Sequence, residues 1–249
     1  NTDSTTIQVD TIPDASITAS GPFCENGGVQ TISPAINTGG WFTETAIIDS
    51  FGVFDPAIAM SGTHKVYYTF VDGNSCSNID STTIRIDSIP DASITAAGPF
   101  CENGGVQTIS PAINTGGWFT ETAMIDSFGV FDPAISGDGT HKVYYTFVDG
   151  NGCSETDSTT IRIDSIPDAS ITAAGPFCEN GGVQTISPAI NTGGWFTETT
   201  IIDSFGVFNP AVATSGTHKV YYTFVDGNSC KNTDSTTIQV DTIPDASIT

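Results

Sequence analysis

The chain has 249 residues, of which 38% are hydrophobic, and its 28 acidic against 6 basic residues give a formal net charge of −22. This charge argues against binding to nucleic acid or to an anionic membrane surface, because both need clustered Lys and Arg. No apolar run approaches the roughly 18 residues that a membrane span needs, and no signal segment starts the chain. We therefore expect no membrane insertion in this segment, and we expect targeting and anchoring signals to lie outside it.

One sequence unit repeats along the chain without an insertion, so that the segment beginning at Asp3 recurs at Asp80, Asp157 and Asp234. Three copies account for most of the chain, and residues 1–18 are identical to residues 232–249. The outer copies of one stretch read TTIQVDTIP, whereas the inner two read TTIRIDSIP. This pattern predicts a higher repeat, composed of all three copies, in a much longer array. The partners of each repeat then include further copies of itself.

A proline marks the boundary of each repeat, because proline ends a strand and restricts the residue before it. The four boundary prolines are Pro13, Pro90, Pro167 and Pro244. We predict three domains at 13–89, 90–166 and 167–243, with 1–12 as the last strand of a preceding repeat and 244–249 as the first strand of a following one. The linkers span about three residues and are stiffer than Gly/Ser linkers, which favours a rod.

Within each repeat the hydrophobic pattern has a period of two, which predicts strands. In the first repeat, strands are expected at 15–19, 29–32 and 40–44, with a short pair around 47–54. A closing hairpin follows, with strands at 65–71 and 83–87 joined by a Gly/Asn turn at 72–75. Its first strand should direct Val66, Tyr68 and Phe70 to one face and Tyr67, Thr69 and Val71 to the other. About seven short strands and little helix predict an all-β fold, a small two-sheet sandwich.

Several segments of the repeat, GPFCENGG, GGWFTE, FGVFDPA, GTHKVYYTFVDGNSC and STTIRID, follow one another in this order. Together they resemble the immunoglobulin-like (PKD-like) repeats that are strung in tandem through large secreted surface proteins and adhesins of Bacteroidetes-type bacteria. The resemblance covers the whole unit and implies tandem immunoglobulin-like β-sandwich domains that serve as stalks, spacers or binding heads. The third copy departs from it at Asn209, where the others have Asp55 and Asp132, so we predict no obligatory acidic role at that position.

The six cysteines form two series that each advance by one repeat, Cys24, Cys101 and Cys178, and Cys76, Cys153 and Cys230. Without a CxxC motif or a nearby His, they indicate disulfides and an oxidising, extracellular location rather than zinc. The repeat symmetry allows pairing within a repeat (Cys24–Cys76), across a boundary (Cys76–Cys101) or from domain to domain (Cys24–Cys153). We favour the first, which closes a loop of about 50 residues. In a seven-strand sandwich, however, the two cysteine loops would lie at opposite poles, which suits the third.

Histidines occur at one equivalent position in each repeat, His64, His141 and His218. A catalytic His needs a partnered nucleophile and an orienting carboxylate, and the sequence shows no such constellation. We therefore predict that these histidines are structural and that the chain has no catalytic residues and is not an enzyme.

Tryptophan follows Gly-Gly in each repeat, as Trp41, Trp118 and Trp195. In immunoglobulin-like sandwiches an aromatic residue in this region usually packs into the core, and we expect the same here. The alternative is a platform on which a surface glycan stacks, with Tyr67 and its equivalents contributing.

Aspartates flank the Ile-Pro boundaries in pairs, Asp10 with Asp14, Asp87 with Asp91, and Asp164 with Asp168. Asp149 and Asn151 lie in a loop of the next repeat that we expect near Asp87. Oxygen ligands of this kind suit calcium, which would stiffen a rod and offset its negative charge. No EF-hand or other dense calcium motif is present, so we favour solvated surface charge, and calcium binding is the alternative. The sequence indicates no other cofactor.

These patterns predict a structural segment of a long, secreted cell-surface protein that forms an extracellular stalk or fibre supporting adhesion or surface motility. One alternative is a filament in which chains associate laterally through exposed strand edges, although the net charge opposes this. The alternative from another class is a tandem glycan-binding module that gains avidity from repetition.

Overall fold

The computed structural model describes residues 2–18 and 21–246, and each repeat contains the same six strands and one short helix. In the first repeat these are β1 (Phe23–Cys24), β2 (Gln30–Thr31), β3 (Trp41–Phe42), β4 (Val53–Phe54), α1 (Pro56–Ala59), β5 (Gly62–Val71) and β6 (Ser77–Asp87). In the second they are β7 (Phe100–Cys101), β8 (Gln107–Thr108), β9 (Trp118–Phe119), β10 (Val130–Phe131), α2 (Pro133–Ser136), β11 (Gly139–Val148) and β12 (Ser154–Asp164). In the third they are β13 (Phe177–Cys178), β14 (Gln184–Thr185), β15 (Trp195–Phe196), β16 (Val207–Phe208), α3 (Pro210–Ala213), β17 (Gly216–Val225) and β18 (Lys231–Asp241).

The strands of the first repeat form a four-stranded sheet in the order β1-β6-β5-β3 and a two-stranded sheet of β2 and β4. The third repeat has the same arrangement, β13-β18-β17-β15 and β14-β16. The predicted closing hairpin is confirmed, and its strands are longer than expected because all of β5 pairs with β6, from Gly62 to Val71. The predicted strand at 15–19 is reduced to a single bridge between Ile17 and Pro34, and residue 19 lies outside the described residues.

The core of the first repeat lies between these two sheets. Val66 and Tyr68 on β5 are each 2% exposed, as the predicted alternation requires, and Ile84 and Ile86 extend the same face on β6. Phe54 on β4 and Ile32, the residue that follows β2, close the core on the side of the smaller sheet. Burying such side chains stabilises a domain by about 1.5–3 kcal/mol each before the entropy of folding is subtracted. The prediction of tandem all-β sandwich repeats is confirmed.

A short helix that the sequence analysis did not predict follows the fourth strand. Its N-cap, Asp55, accepts a hydrogen bond from the Ala57 N–H at 3.0 Å, and Pro56 occupies the first turn, where no N–H is needed. In the third repeat Asn209 caps the Ala211 N–H in the same way, at 3.1 Å. An amide oxygen and a carboxylate oxygen both serve here, which explains why the third copy tolerates Asn.

Contacts divide the chain into two compact units that do not follow the repeat boundaries. One comprises Asn1–Ile94, Pro111–Trp118 and Tyr144–Asp157, and the other comprises Thr95–Ser110, Phe119–Val143 and Ser158–Thr249. The middle repeat contributes to both, so the boundaries 13–89, 90–166 and 167–243 stay predictions. Residues 2–12 belong to no strand, and the strand expected at 244–249 lies partly outside the described residues. Among the helices in the described ranges, none could cross a membrane.

Candidate functional site at the junctions between repeats

Two disulfides join consecutive repeats. Cys24 bonds to Cys153 within the first compact unit, and Cys101 bonds to Cys230 within the second, with a Cα–Cα distance of 5.4 Å in each pair. Both pairs have a sequence separation of 129, which exceeds the separation of the two cysteines within a repeat by one whole repeat. We call the two sites the first junction and the second junction.

The favoured prediction of pairing within a repeat, Cys24 with Cys76, is therefore wrong. The first cysteine of a repeat lies on a strand that pairs with the end of the last strand, so it faces the following repeat. The second cysteine ends the turn between the two hairpin strands, at the other end of β6. The 11-residue β6 separates the two, at about 3.3 Å per residue. A disulfide within the repeat is too short to bridge them.

One half of each junction, the strand side, is formed by the short first strand and the turn after it (residues 23–27 and 100–104). Phe23 and Cys24 pair in parallel with the end of β6, and the Glu25 N–H donates to the Asp87 carbonyl at 3.0 Å. The Asn26 side chain then donates to the Ser154 carbonyl of the next repeat at 2.8 Å. In the second junction Asn103 makes the equivalent bond to the Lys231 carbonyl, also at 2.8 Å. Because the asparagine binds a backbone oxygen, Ser and Lys serve equally as its partner.

The other half, the loop side, is the turn before the last strand (residues 149–154 and 226–231). Asp149 holds this turn, because its Oδ1 accepts hydrogen bonds from the N–H groups of Asn151 at 2.9 Å and Cys153 at 2.8 Å. Asp226 holds the second turn through the same two bonds. The paired cysteines on this side, Cys153 and Cys230, are each 1% exposed. A carboxylate thus presents each loop cysteine in a fixed position.

An arginine–aspartate pair supports the strand side. Arg85 Nε lies 2.7 Å from Asp87 Oδ1, and Arg162 lies at the same distance from Asp164. Both aspartates are 8% exposed, and the Oδ2 of each is buried without a hydrogen-bond partner. In the third repeat Gln239 takes the place of arginine, and Asp241 is exposed. At Asp87 and Asp164 the arginine supplies the counter-charge that a buried carboxylate needs.

The aspartates considered as calcium ligands each have a hydrogen-bond partner of their own. Asp14, Asp91 and Asp168 each accept a hydrogen bond at 2.8 Å from the backbone two residues on, and Asp10 accepts one from Gln8. A polar cavity of about 300 Å³ at the second junction is lined in part by Asp164, Asp226 and Asn228, so the expected approach of the Asp/Asn loop is observed there. Within residues 2–18 and 21–246, no three acidic, His or Cys side chains are grouped to hold a metal.

The tryptophans are half exposed and do not belong to the core. Trp41, Trp118 and Trp195 are 45–48% exposed, and the phenylalanine that follows each is buried instead. The reason is strand register: Phe42 pairs with Tyr68, which faces the core, whereas Trp41 pairs with Thr69 on the outer face. Tyr67 lies on that outer face as well, with Lys65 Nζ 5.2 Å from its ring centroid. The core prediction for tryptophan is wrong, and an exposed aromatic surface recurs in each repeat.

Each histidine contacts a nearby backbone carbonyl. His64 Nε2 lies 3.0 Å from the Met60 oxygen, and His141 and His218 make the same contact with Gly137 and Thr214. This contact fixes the loop between the helix and the long hairpin, in agreement with the structural role expected from the sequence.

The sequence did not predict two apolar features of the surface, an exposed phenylalanine at a turn and a groove beside it. Phe51 is 82% exposed at the tip of a turn that Asp49 holds through the Phe51 and Val53 N–H groups, and Phe128 and Phe205 are exposed likewise. A groove of about 480 Å³ beside it is lined by Val29, Ile47 and Ile58, among others. The second repeat has an equivalent groove of about 460 Å³. The hydrophobic pattern predicted neither the exposed phenylalanine nor the groove, because an isolated Phe in a Gly/Asp turn has the same pattern as a residue of a short strand.

No protein-family model matches the sequence, and no curated protein matches it. Among solved structures, the chain is similar to a Ca²⁺-stabilised adhesin that helps an Antarctic bacterium reach out and bind ice, with 16% identity over 95% of this chain and 76% of that one and a TM-score of 0.40. It is also similar to extracellular cadherin domains 1–5 of protocadherin gamma B2, with 11% identity over 86% of this chain and 56% of that one and a TM-score of 0.25. Mouse protocadherin-24 domains EC1–3 give 9% identity over 87% and 89% of the two chains and a TM-score of 0.24. Similarity at this level transfers no ligand or role to the chain.

Proposed function

We propose that the chain is a structural segment of a secreted cell-surface protein, an extracellular stalk or fibre in which disulfides link each repeat to the next and which supports adhesion or surface motility. The observation that carries this proposal is the pairing of Cys24 with Cys153 and of Cys101 with Cys230. Disulfides of this kind persist in oxidising environments outside the cytosol, which supports an extracellular location. The sequence resemblance to tandem repeats of large bacterial surface proteins agrees with this role.

The two disulfides limit how far the chain can extend under force. The loops that they close, 24–153 and 101–230, overlap, so the shortest covalent path runs through residues 1–24, 101–153 and 230–249. At about 3.4 Å per extended residue this path is roughly 330 Å long, against roughly 850 Å for the whole chain. A pull that unfolds every repeat would therefore still leave more than half of the chain shielded from extension.

Single-molecule pulling tests the proposal. Cys76 and Cys178 take part in neither disulfide. The double variant Cys76→Ser/Cys178→Ser therefore keeps both disulfides and removes the free thiols, so it can be stretched without side reactions. We expect a final contour length near roughly 330 Å in the oxidised protein and near roughly 850 Å after reduction. Equal contour lengths in the oxidised and reduced protein would show that the junction disulfides do not limit extension, which would contradict the proposal.

Lateral association of such chains into a filament is a finer form of the same function. The exposed Phe51 and its equivalents favour it, because one apolar side chain is presented per repeat. The net charge of −22 opposes it through self-repulsion. Electron microscopy of native material separates the two forms, since single thin threads support a stalk and ordered bundles support a filament.

A tandem glycan-binding module is the second candidate function, and the exposed face that carries Trp41 and Tyr67 favours it. Half-exposed aromatic rings on a rigid sheet can stack on sugar rings, and repetition would add avidity. Binding should quench tryptophan fluorescence. The triple variant Trp41→Ala, Trp118→Ala and Trp195→Ala, which has no tryptophan left, should lose glycan binding in a calorimetric titration. Unchanged fluorescence across a glycan panel would count against this function.

Calcium at the junctions is a further proposal within the structural role. The buried Asp164 Oδ2, which has no hydrogen-bond partner and belongs to a residue lining the polar cavity, supports it. Against it, Arg162 already supplies a positive charge at 2.7 Å from the other oxygen. If calcium binds there, the melting temperature of the protein should fall when chelator is added at constant ionic strength. An unchanged melting temperature would rule out calcium binding at the junctions.

A further inference from the structure

The basic side chains of the chain lie on one kind of surface, the outer face of the four-stranded sheet. In the first repeat Lys65 on β5 lies opposite Thr83, and Arg85 on β6 lies opposite Thr63. Residues that face each other in an antiparallel pair share one face of the sheet, and here it is the face away from the core. All six basic residues occupy the last two strands of a repeat and are exposed, namely Lys65, Arg85, Lys142, Arg162, Lys219 and Lys231.

Acidic residues are missing from the same face. Between residues 63 and 85, all of which the structure describes, the outward positions of β5 and β6 hold Thr, Lys, Tyr, Val, Ser, Ile and Arg but no Asp or Glu. The next outward residue, Asp87, is 8% exposed and contacts Arg85. A chain with 28 acidic side chains therefore keeps one sheet face locally positive.

Lys65 belongs to a row that also contains the exposed aromatic rings. Trp41 on β3 lies opposite the position two residues after Tyr67, so Trp41 and Tyr67 are diagonal neighbours, about 7–8 Å apart. Lys65 Nζ lies 5.2 Å from the centroid of the Tyr67 ring, which places its charge on the side toward Trp41. The same row recurs in the third repeat, where it is formed by Trp195, Tyr221 and Lys219.

Such a row suits a ligand that combines an apolar ring face with a negative charge. The indole of Trp41, 47% exposed on a rigid strand, can stack on the apolar face of a sugar ring. The ammonium group of Lys65, held beside the Tyr67 ring, can pair with a carboxylate or sulfate group on the same or the next sugar. The acidic remainder of the chain repels a polyanion elsewhere, so the ligand is directed to this face.

Nucleic acid fits this face less well. Duplex DNA carries one negative charge per about 1.7 Å of its axis, whereas the first repeat offers only Lys65 and Arg85, and Arg85 already contacts Asp87. A polysaccharide with one charge on each sugar, or on every second sugar, is less densely charged. The net charge of −22 therefore opposes its approach less.

We propose that the outer face of the four-stranded sheet binds an anionic polysaccharide, with a sugar ring stacked on Trp41 and a carboxylate or sulfate group paired with Lys65, and likewise at the equivalent residues of the other repeats. This inference rests on the glycan-binding candidate described above and names the class of glycan. The lysine supplies the selectivity for charge, and the tryptophan supplies the contact with the sugar.

Two pairs of polymers, each with and without its anionic group, provide the test. They are polygalacturonate with its methyl ester and dextran sulfate with dextran, each titrated into the full chain at low salt while tryptophan fluorescence is followed. In at least one pair the charged polymer should quench at a concentration roughly tenfold lower than the neutral one, and added salt should reduce this difference. The pair that shows the preference distinguishes a carboxylate from a sulfate. Equal quenching within both pairs would overturn the proposal.

Lysine variants test whether the charge preference comes from this face. The triple variant Lys65→Gln, Lys142→Gln and Lys219→Gln keeps all three tryptophans, so the fluorescence measurement still applies. It should bind the charged polymer roughly tenfold more weakly and the neutral polymer unchanged. Arginine at the same three positions retains the charge and should retain the binding. Undiminished binding by the glutamine variant would contradict the role of the lysines.

A charge-matched control separates a local contact from the effect of net charge. It introduces glutamate at three exposed positions of the short helices, as Ile58→Glu, Ile135→Glu and Val212→Glu, and changes the net charge by as much as the glutamine variant does. Because these side chains are absent from the outer face of the sheet, the control should bind nearly as well as the unmodified chain. A loss as large as that of the glutamine variant would overturn the assignment to this face.

Failure of this inference can be distinguished from failure of the glycan-binding candidate. If charged and neutral polymers quench equally, glycan binding stands and only the preference for anions fails. If none of the four polymers changes the fluorescence, both fail. Single-stranded oligothymidylate serves as the nucleic-acid probe, and binding as tight as that of the preferred polysaccharide would overturn the proposal.

Discussion

Cys24 and Cys153 lie 129 residues apart in the sequence, and their Cα atoms are 5.4 Å apart. The bond between them closes a loop longer than one repeat, so neither repeat can separate from the other while the bond is intact. Because Cys101 and Cys230 repeat this relationship one unit further on, the two closed loops overlap and every repeat takes part in at least one of them.

Loss of one of these bonds should destabilise the protein. The loop-entropy model gives about 4–5 kcal/mol for a crosslink of this length, and we expect Cys24→Ser to approach that loss. The control is Cys76→Ser, which removes a sulfur from a repeat but breaks no disulfide. Chemical denaturation monitored by circular dichroism should show a lower midpoint for the first variant alone. Equal midpoints would mean that the crosslink contributes nothing.

The Tyr68 hydroxyl ties the core to the loop before β3. It donates to the Asn37 carbonyl at 2.6 Å and accepts from the Gly40 N–H at 2.8 Å. Tyr68→Phe leaves both backbone groups without this partner and should cost about 1–3 kcal/mol. Tyr67→Phe, on the exposed face of the same strand, should change the stability by less than about 0.5 kcal/mol. Thermal melting of both variants checks this, and equal effects would contradict the account.

Arg85 should matter because its partner is buried. Arg85→Gln removes the contact with Asp87 and should cost about 1–2 kcal/mol, less than for a fully buried pair because the arginine side chain is 60% exposed. Adding Asp87→Asn removes the uncompensated charge and should restore part of the loss. A double-mutant cycle measures this coupling. If the double variant is simply the sum of the two single ones, the pair does not interact.

Acid should lower the stability that the aspartate at the start of each repeat contributes. Hydrogen bonds from the hydroxyl and backbone of Ser93 hold the pKa of Asp91 below its usual value, and Ser16 and Ser170 act in the same way on Asp14 and Asp168. A depressed folded-state pKa stabilises the protein above the unfolded pKa of about 3.9, and this contribution disappears as the pH falls through the folded value. In the Asp91→Asn variant the melting temperature should therefore fall less steeply with decreasing pH, between about pH 4 and the lower folded pKa. An unchanged pH profile would contradict this origin.

The sequence was sufficient for the repeat, the closing hairpin and the face of β5 that is buried, because Val66 and Tyr68 alternate with polar or exposed positions. It did not decide between Trp41 and Phe42 as the core residue, since adjacent strand residues are equally apolar and only pairing with Tyr68 sets the register. It could not decide the disulfide partners either. Pairing within a repeat and pairing between repeats both obey the repeat symmetry, and the choice depends on which end of the repeat each cysteine occupies.

Non-reducing peptide mapping tests the central claim most directly, because the six basic residues divide the chain so that trypsin separates all six cysteines. Disulfides between repeats predict that peptide 1–65 is linked to 143–162 and that 86–142 is linked to 220–231. Linkage of 1–65 to 66–85, the pairing within a repeat, would contradict the account.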